Sequence, residues 1–171
     1  MYSKVKLTVL VVSVMAFFLS GIGCQEKASA GPTAPDFSLP DLSENMTTLE
    51  QYRGRVVVVD FWATWCPPCK MSIPELVKLQ KQYRDKGLVV LGISLDDPGR
   101  AGDEYLRAFK DDYNINYTVL RFNNQVLLDY FGFETPAIPT MFIIDRGGKI
   151  RGKFVGFRPG ALEKALKGVL G

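Results

Sequence analysis

The chain has 171 residues, 47% of them hydrophobic and 23% charged, which suits one globular domain with a substantial core and leaves no room for a second. Its formal charge is +3, but Lys4 and Lys6 stand in a leader; without them 19 basic residues face 18 acidic ones, and nothing in that balance calls for a nucleic-acid partner. Histidine is absent and the cysteines number three, which excludes Cys–His nucleophilic catalysis, imidazole acid–base chemistry and His-ligated metals.

Lys4 and Lys6 form a basic start, and Leu7 to Leu19 an apolar core broken only by Thr8 and Ser13, the pattern of a targeting signal. Ser20-Gly21-Ile22-Gly23-Cys24 resembles a bacterial lipobox, with Gly21 where that motif usually has an aliphatic residue. The preferred division is a signal peptide over 1–23, a tether over 24–35 that is lipid-anchored through Cys24, and one domain over 36–171. An uncleaved anchor over Val5 to Ile22 and ordinary cleavage that leaves a spare Cys24 thiol are the alternatives. All three place the domain outside the cytoplasm, at a membrane surface or in a periplasm.

Phe37 to Leu49, punctuated by Pro40, Asp41, Ser43 and Asn45, predicts a small hairpin. Val56 to Val59 is a β-branched run without alternation, as in a strand covered on both faces, and it ends at Asp60-Phe61-Trp62. After Cys66 the apolar positions Met71, Ile73, Leu76, Val77 and Leu79 predict a helix that Pro74 kinks and Gly87 ends. Leu88 to Leu95 reads as a second buried strand and Asp97-Pro98-Gly99 as a turn. Asp103 to Tyr113 reads as a helix with Tyr105, Leu106 and Phe109 on one face. A short strand (Tyr117 to Leu120), a short helix (Val126 to Tyr130), a hairpin (Thr140 to Ile144 and Ile150 to Phe157 around Arg146-Gly147-Gly148) and a last helix (Gly160 to Leu170) follow. Strands alternating with helices, then a late hairpin and helix, predict an α/β sandwich around one mixed sheet.

Cys66-Pro67-Pro68-Cys69 carries the chemistry. Two cysteines three apart at a helix start lie on neighbouring turns, close enough to bond. Such a bond closes a loop too small to stabilise the fold much, so its value lies in opening and closing. The first cysteine faces the unpaired N–H groups and positive end of the helix, which favours thiolate. Cys66 is therefore the expected nucleophile and Cys69 the resolving thiol. A pair of zinc ligands would lack its second pair, since Cys24 is distant in sequence. Asp60, at the end of an all-valine strand, is expected to be desolvated with a raised pKa and to serve as proton acceptor; a hydrogen-bonded structural acid is the alternative. Pro67 and Pro68 suit a first helical turn, but they remove two donors that could hold a Cys66 thiolate, which predicts a less oxidising disulfide.

Val59-Asp60-Phe61-Trp62-Ala63-Thr64-Trp65-Cys66-Pro67-Pro68-Cys69-Lys70 resembles the active-site segment of thioredoxins, and Ile138-Pro139-Thr140 their cis-proline loop. The long start, Ala34-Pro35-Asp36-Phe37 onward, and the helix inserted between Leu95 and Tyr117 resemble the membrane-anchored TlpA and ResA class. The resemblance implies a thioredoxin-like three-layer sandwich with a mixed central sheet, an N-terminal β extension and one inserted helix. It implies a cis bond before Pro139, substrate contacts from Trp65, Pro67, Ile138 and Pro139, and no cofactor beyond the Cys66–Cys69 pair. It also implies protein thiol and disulfide substrates, apocytochrome c among them, and a thiol-reducing electron donor in the membrane. The chain departs from the class in three places. Ser72 stands where many relatives have glutamate, Asp60 where the class often has asparagine, and Phe133 to Ile138 is about two residues longer than the usual approach to the proline. A disulfide oxidase or isomerase shares the same cysteines. A peroxiredoxin-like peroxidase would share the Ala34 to Phe37 start, but Thr64 alone does not supply its pattern around the cysteine. A copper-handling module lacks its histidine ligand.

Overall fold

The computed structural model describes residues 31–171. The leader and Cys24 lie outside the described residues.

The valine run forms the middle strand of the main sheet because every one of its side chains is covered. Strand β3 (Val56–Trp62) is buried along all its length. The sheet also contains β4 (Leu88–Ser94), β5 (Thr118–Arg121), β6 (Thr140–Ile144) and β7 (Ile150–Val155), in the order β5-β4-β3-β6-β7. β4 is parallel to β3 and β5 parallel to β4, whereas β6 runs antiparallel to β3 and β7 antiparallel to β6. The mixed sheet predicted from the element order is therefore present, with β3 at its centre.

Side chains of β3 alternate between two cores. Val56, Val58 and Trp62 pack with the helices α1 (Pro67–Tyr83), α2 (Asp103–Asp112) and α4 (Ala161–Leu170), through residues such as Ile73, Leu76, Phe109 and Leu166. Val57, Val59 and Phe61 pack with α3 (Asn124–Phe131) and with Leu39 of β1 (Ser38–Pro40). β1 pairs antiparallel with β2 (Met46–Thr48), and the Asp41 carboxylate accepts from the backbone N–H groups of Ser43 and Asn45 to make the turn between them. The result is the three-layer α/β sandwich with its N-terminal β extension, and α2 is the inserted helix.

Local details differ from the expectations. α1 contains Pro74 and ends at Tyr83, and a 3₁₀ turn (Arg84–Lys86) replaces its expected last turn before Gly87, whose φ of 91° ends the segment. Tyr105 is 54% exposed and does not share the inner face of α2. The buried arc is set by Leu106, by Phe109 stacked on Tyr113 at 4.3 Å, and by the contact of Phe109 with Trp62 at 5.4 Å. Tyr105 falls past the edge of that arc. The stretch before residue 36 is also not tether to its end. Thr33 pairs with Lys149, the Ala34 N–H donates to the Gly148 carbonyl at 3.0 Å, and Ala34 is buried. The fold thus takes in the last residues of the segment read as tether.

Candidate active site

Parallel strands end at the same edge of a sheet, and here the ends of β3 and β4 place two loops together. Trp62 is opposite Ser94 in the register, so the segment leading to Cys66 meets the segment after β4. Asp96 fastens the two. Its carboxylate accepts from the Thr64 N–H at 3.0 Å, from the Thr64 hydroxyl at 2.7 Å and from the Ser94 hydroxyl at 2.8 Å, all in a buried setting. The Cys66 N–H then donates to the Ala63 carbonyl at 3.2 Å, turning the chain into α1.

Cys66 is the N-cap of α1, with extended φ and ψ of −93° and 107°. Pro67 and Pro68 occupy the first two helical positions, so the first N–H the helix offers is that of Cys69. That group donates to Cys66 Sγ at 3.2 Å. The prolines thus strip the helix start to a single donor and aim it at the sulfur. Cys66 and Cys69 form a disulfide, with their Cα atoms 5.3 Å apart, as the spacing predicts.

The segment before β6 closes over the pair. Ile138-Pro139 is a cis peptide bond, and the Ile138 carbonyl oxygen lies 3.7 Å from Cys66 Sγ. The Pro139 carbonyl accepts from the Gly156 N–H at 2.8 Å, and the Thr140 hydroxyl donates to the Ala137 carbonyl at 2.5 Å, which ties this segment to both strands of the late hairpin. With Ile138 on one side and Trp65 and Pro67 on the other, Cys66 is only 2% exposed and Cys69 is fully buried. Trp65 itself is 66% exposed. The structure therefore gathers Cys66, Cys69, Trp65, Pro67, Ile138 and Pro139 at one place, although the two segments are about seventy residues apart in sequence.

Asp60 lies deeper in β3, on the face covered by α1, opposite Gly92 of β4 and Met141 of β6. It is fully buried, and neither carboxylate oxygen has a hydrogen-bond partner among the described residues. Desolvation alone pushes its pKa up to about 8. The Trp62 Nε1 and the Tyr117 hydroxyl are also buried with no partner among the described residues, and burial, with the Asp60 charge second, raises the Tyr117 pKa. Gly92 makes room for both rings, since a Cβ there would sit 2.9 Å from Trp62 Nε1 and 3.1 Å from Tyr117 Cε2. Ser72 is buried and donates to the Cys69 carbonyl at 2.8 Å, so its hydroxyl is committed to the helix.

The sequence analysis missed Asp96. A usable signal existed: Asp96 follows directly on Leu88 to Leu95, the strand read as buried, and in a parallel pair such a position abuts the loop after the neighbouring strand. Among the described residues no group of three or more histidines, cysteines or acids could hold a metal ion. The redox group is the cysteine pair.

Residues 30–153 match the model of the AhpC/TSA family. The chain is 36% identical over 135 residues to the thioredoxin-like protein YneN of Bacillus subtilis, covering 79% of this chain and 74% of that one. It is 32% identical over 123 residues to the thiol-disulfide oxidoreductase ResA of Geobacillus kaustophilus, covering 72% of this chain and 67% of that one. Among solved structures, a thioredoxin-family thiol:disulfide interchange protein from Chlorobium tepidum superposes with a TM-score of 0.73 at 28% identity, covering 84% of this chain and 99% of that one. A cysteine pair at disulfide distance on this sheet is what such relatives would require, and the chain belongs to the AhpC/TSA family as a thioredoxin-like thiol–disulfide oxidoreductase of the ResA type.

Proposed function

We propose that this oxidoreductase works outside the cytoplasm, anchored to a membrane by lipid on Cys24 after removal of residues 1–23, and reduces disulfides of envelope proteins, with apocytochrome c before haem attachment the preferred substrate class. The observation that carries the chemistry is the Cys66–Cys69 disulfide at the start of α1, 3.7 Å from the Ile138 carbonyl. The pattern of the leader and the likeness to the TlpA and ResA class support the location. Among the described residues no helix is long and apolar enough to cross a membrane.

In the reaction the Cys66 thiolate attacks a substrate disulfide, forming a mixed disulfide and releasing one substrate thiolate. Cys69, as thiolate, then attacks the Cys66 sulfur. The second substrate thiol leaves, and two electrons have passed from the cysteine pair to the substrate. A thiol-reducing donor in the membrane restores the dithiol. Asp60 takes the proton from Cys69; with a pKa of about 8 it is ionised in about one molecule in ten at pH 7, and so is a base poised near neutrality. Trp65, Pro67, Ile138 and Pro139 hold the substrate backbone. The two missing donors at Pro67 and Pro68 favour the reducing direction.

A Cys69→Ser variant cannot resolve its mixed disulfides and will retain its partners in the envelope. Adducts with apocytochrome c are the expected result. A broad spread of nascent secreted proteins would instead make the protein an oxidase, and an unmodified Cys24 or an intact leader in the mass spectrum would remove the lipid anchor.

A further inference from the structure

Phe131 and Phe133 flank one glycine and have opposite fates. Phe131 packs edge-on against Phe61 at 4.8 Å and against Phe142 at 6.1 Å. Phe133 is 100% exposed. Gly132 separates them: it stops α3, its N–H donating to the Leu128 carbonyl at 2.8 Å, and its φ of 66° turns the chain outward. The loop that carries Phe133 is held at both ends, by the Glu134 N–H on the Phe131 carbonyl at 3.4 Å and by the Thr140 hydroxyl on the Ala137 carbonyl at 2.5 Å.

Single exposed apolar residues on a protein surface need no explanation. Phe133 differs in where its loop leads. Five residues on is Ile138, whose carbonyl oxygen is 3.7 Å from Cys66 Sγ, and five residues span at most about 17 Å. Cys66 is almost covered, so a protein reaches its sulfur only by laying a few residues across Ile138 and the neighbouring surface. A chain in that position passes within reach of Phe133.

We propose that Phe133 is a specificity-determining residue of this oxidoreductase: it covers an apolar side chain of the protein substrate that stands within about five residues of the substrate's reactive cysteine. The proposal rests on the thiol–disulfide activity and deepens the substrate reading above by naming a feature of the substrate that the enzyme selects.

The test uses two twelve-residue peptides, each with one cysteine held as a mixed disulfide with thionitrobenzoate. One carries leucines four residues to either side of the cysteine, the other serines. In protein first reduced with dithiothreitol and freed of it, the Cys66 thiolate attacks the peptide sulfur and expels coloured thionitrobenzoate; the Cys69 thiolate then displaces the peptide thiolate and leaves the Cys66–Cys69 disulfide, one turnover per molecule. Wild-type protein is expected to consume the leucine peptide about tenfold faster than the serine peptide. Phe133→Ser should bring that ratio to about one, Phe133→Leu should keep most of it, and all three proteins should reduce glutathione disulfide at rates within about twofold of one another. A preference unchanged in Phe133→Ser, or absent from the wild type, overturns the proposal. A wild type inert toward both peptides and glutathione disulfide overturns the redox reading and the role of Phe133 with it.

Discussion

One face of β3 presents Val57, Val59 and Phe61 and the other Val56, Val58, Asp60 and Trp62, and the two faces are finished in different ways. On the first, Phe61 stands within 5.2 Å of Tyr130, 4.8 Å of Phe131 and 6.0 Å of Phe142, in tilted and edge-on arrangements that aromatic rings favour. The one polar tip in that cluster, the Tyr130 hydroxyl, donates to the Pro35 carbonyl at 2.9 Å. On the second face three polar groups, Asp60, Trp62 Nε1 and the Tyr117 hydroxyl, are buried with no partner among the described residues. Each unsatisfied group costs about 1–3 kcal/mol. The cysteine pair lies on this second, costly side, under the first turn of α1. Cohesion and reactivity are thus divided between the two sides of a single strand.

Breaking the cohesive face should cost the most. Phe61→Ala removes the ring on which three others converge, and its denaturation midpoint in urea should fall by the equivalent of about 3–5 kcal/mol, with the thiol reactivity of the folded protein unchanged. A loss below about 1 kcal/mol would show that the aromatic cluster is not the main source of cohesion.

The other face should reveal itself through pH. Asp60 holds its proton in the fold up to about pH 8, whereas the same group in the unfolded chain loses it near 3.8. Between those values the unfolded state binds fewer protons, so stability falls as pH rises, with no contribution to the slope from Asp60 below or above the window. Asp60→Asn does not titrate. Relative to the wild type it should gain stability steadily from about pH 4 to about pH 8, at up to the single-proton slope of about 1.4 kcal/mol per pH unit, as read from urea unfolding at a series of pH values. Parallel curves for the two proteins would place Asp60 outside the polar, costly half of the comparison.

Much of this division could be read from the residues. An unbroken run of valines can only be a strand with both faces covered, and an aspartate at its end is then desolvated by position alone. The cysteine spacing likewise fixed the helix start and the disulfide. Other features depend on contacts that local pattern does not carry. Asp96 is 32 residues from Thr64 and meets it only because β3 and β4 are parallel neighbours. Tyr105 has the right spacing for the inner face of α2, yet the contacts of Phe109 with Trp62 and Tyr113 rotate that face away from it. Phe131 and Phe133 are the same residue on either side of Gly132, and only the turn at that glycine decides which is buried. Thr33 and Ala34 look like linker because the Lys149 edge that receives them comes more than a hundred residues later.

In the proposed mechanism Cys66 is the attacking sulfur and Cys69, with Asp60 behind it, the resolving one. The direct measurement is the single-turnover rate at which a preformed mixed disulfide on Cys66 is resolved, followed from pH 6 to 9 in wild type and in Asp60→Asn. The wild-type rate should rise through a midpoint near pH 8, and the variant should lose that midpoint and resolve at least about tenfold more slowly at pH 8, while its initial attack is unchanged. Superimposable resolution rates in the two proteins would contradict the account.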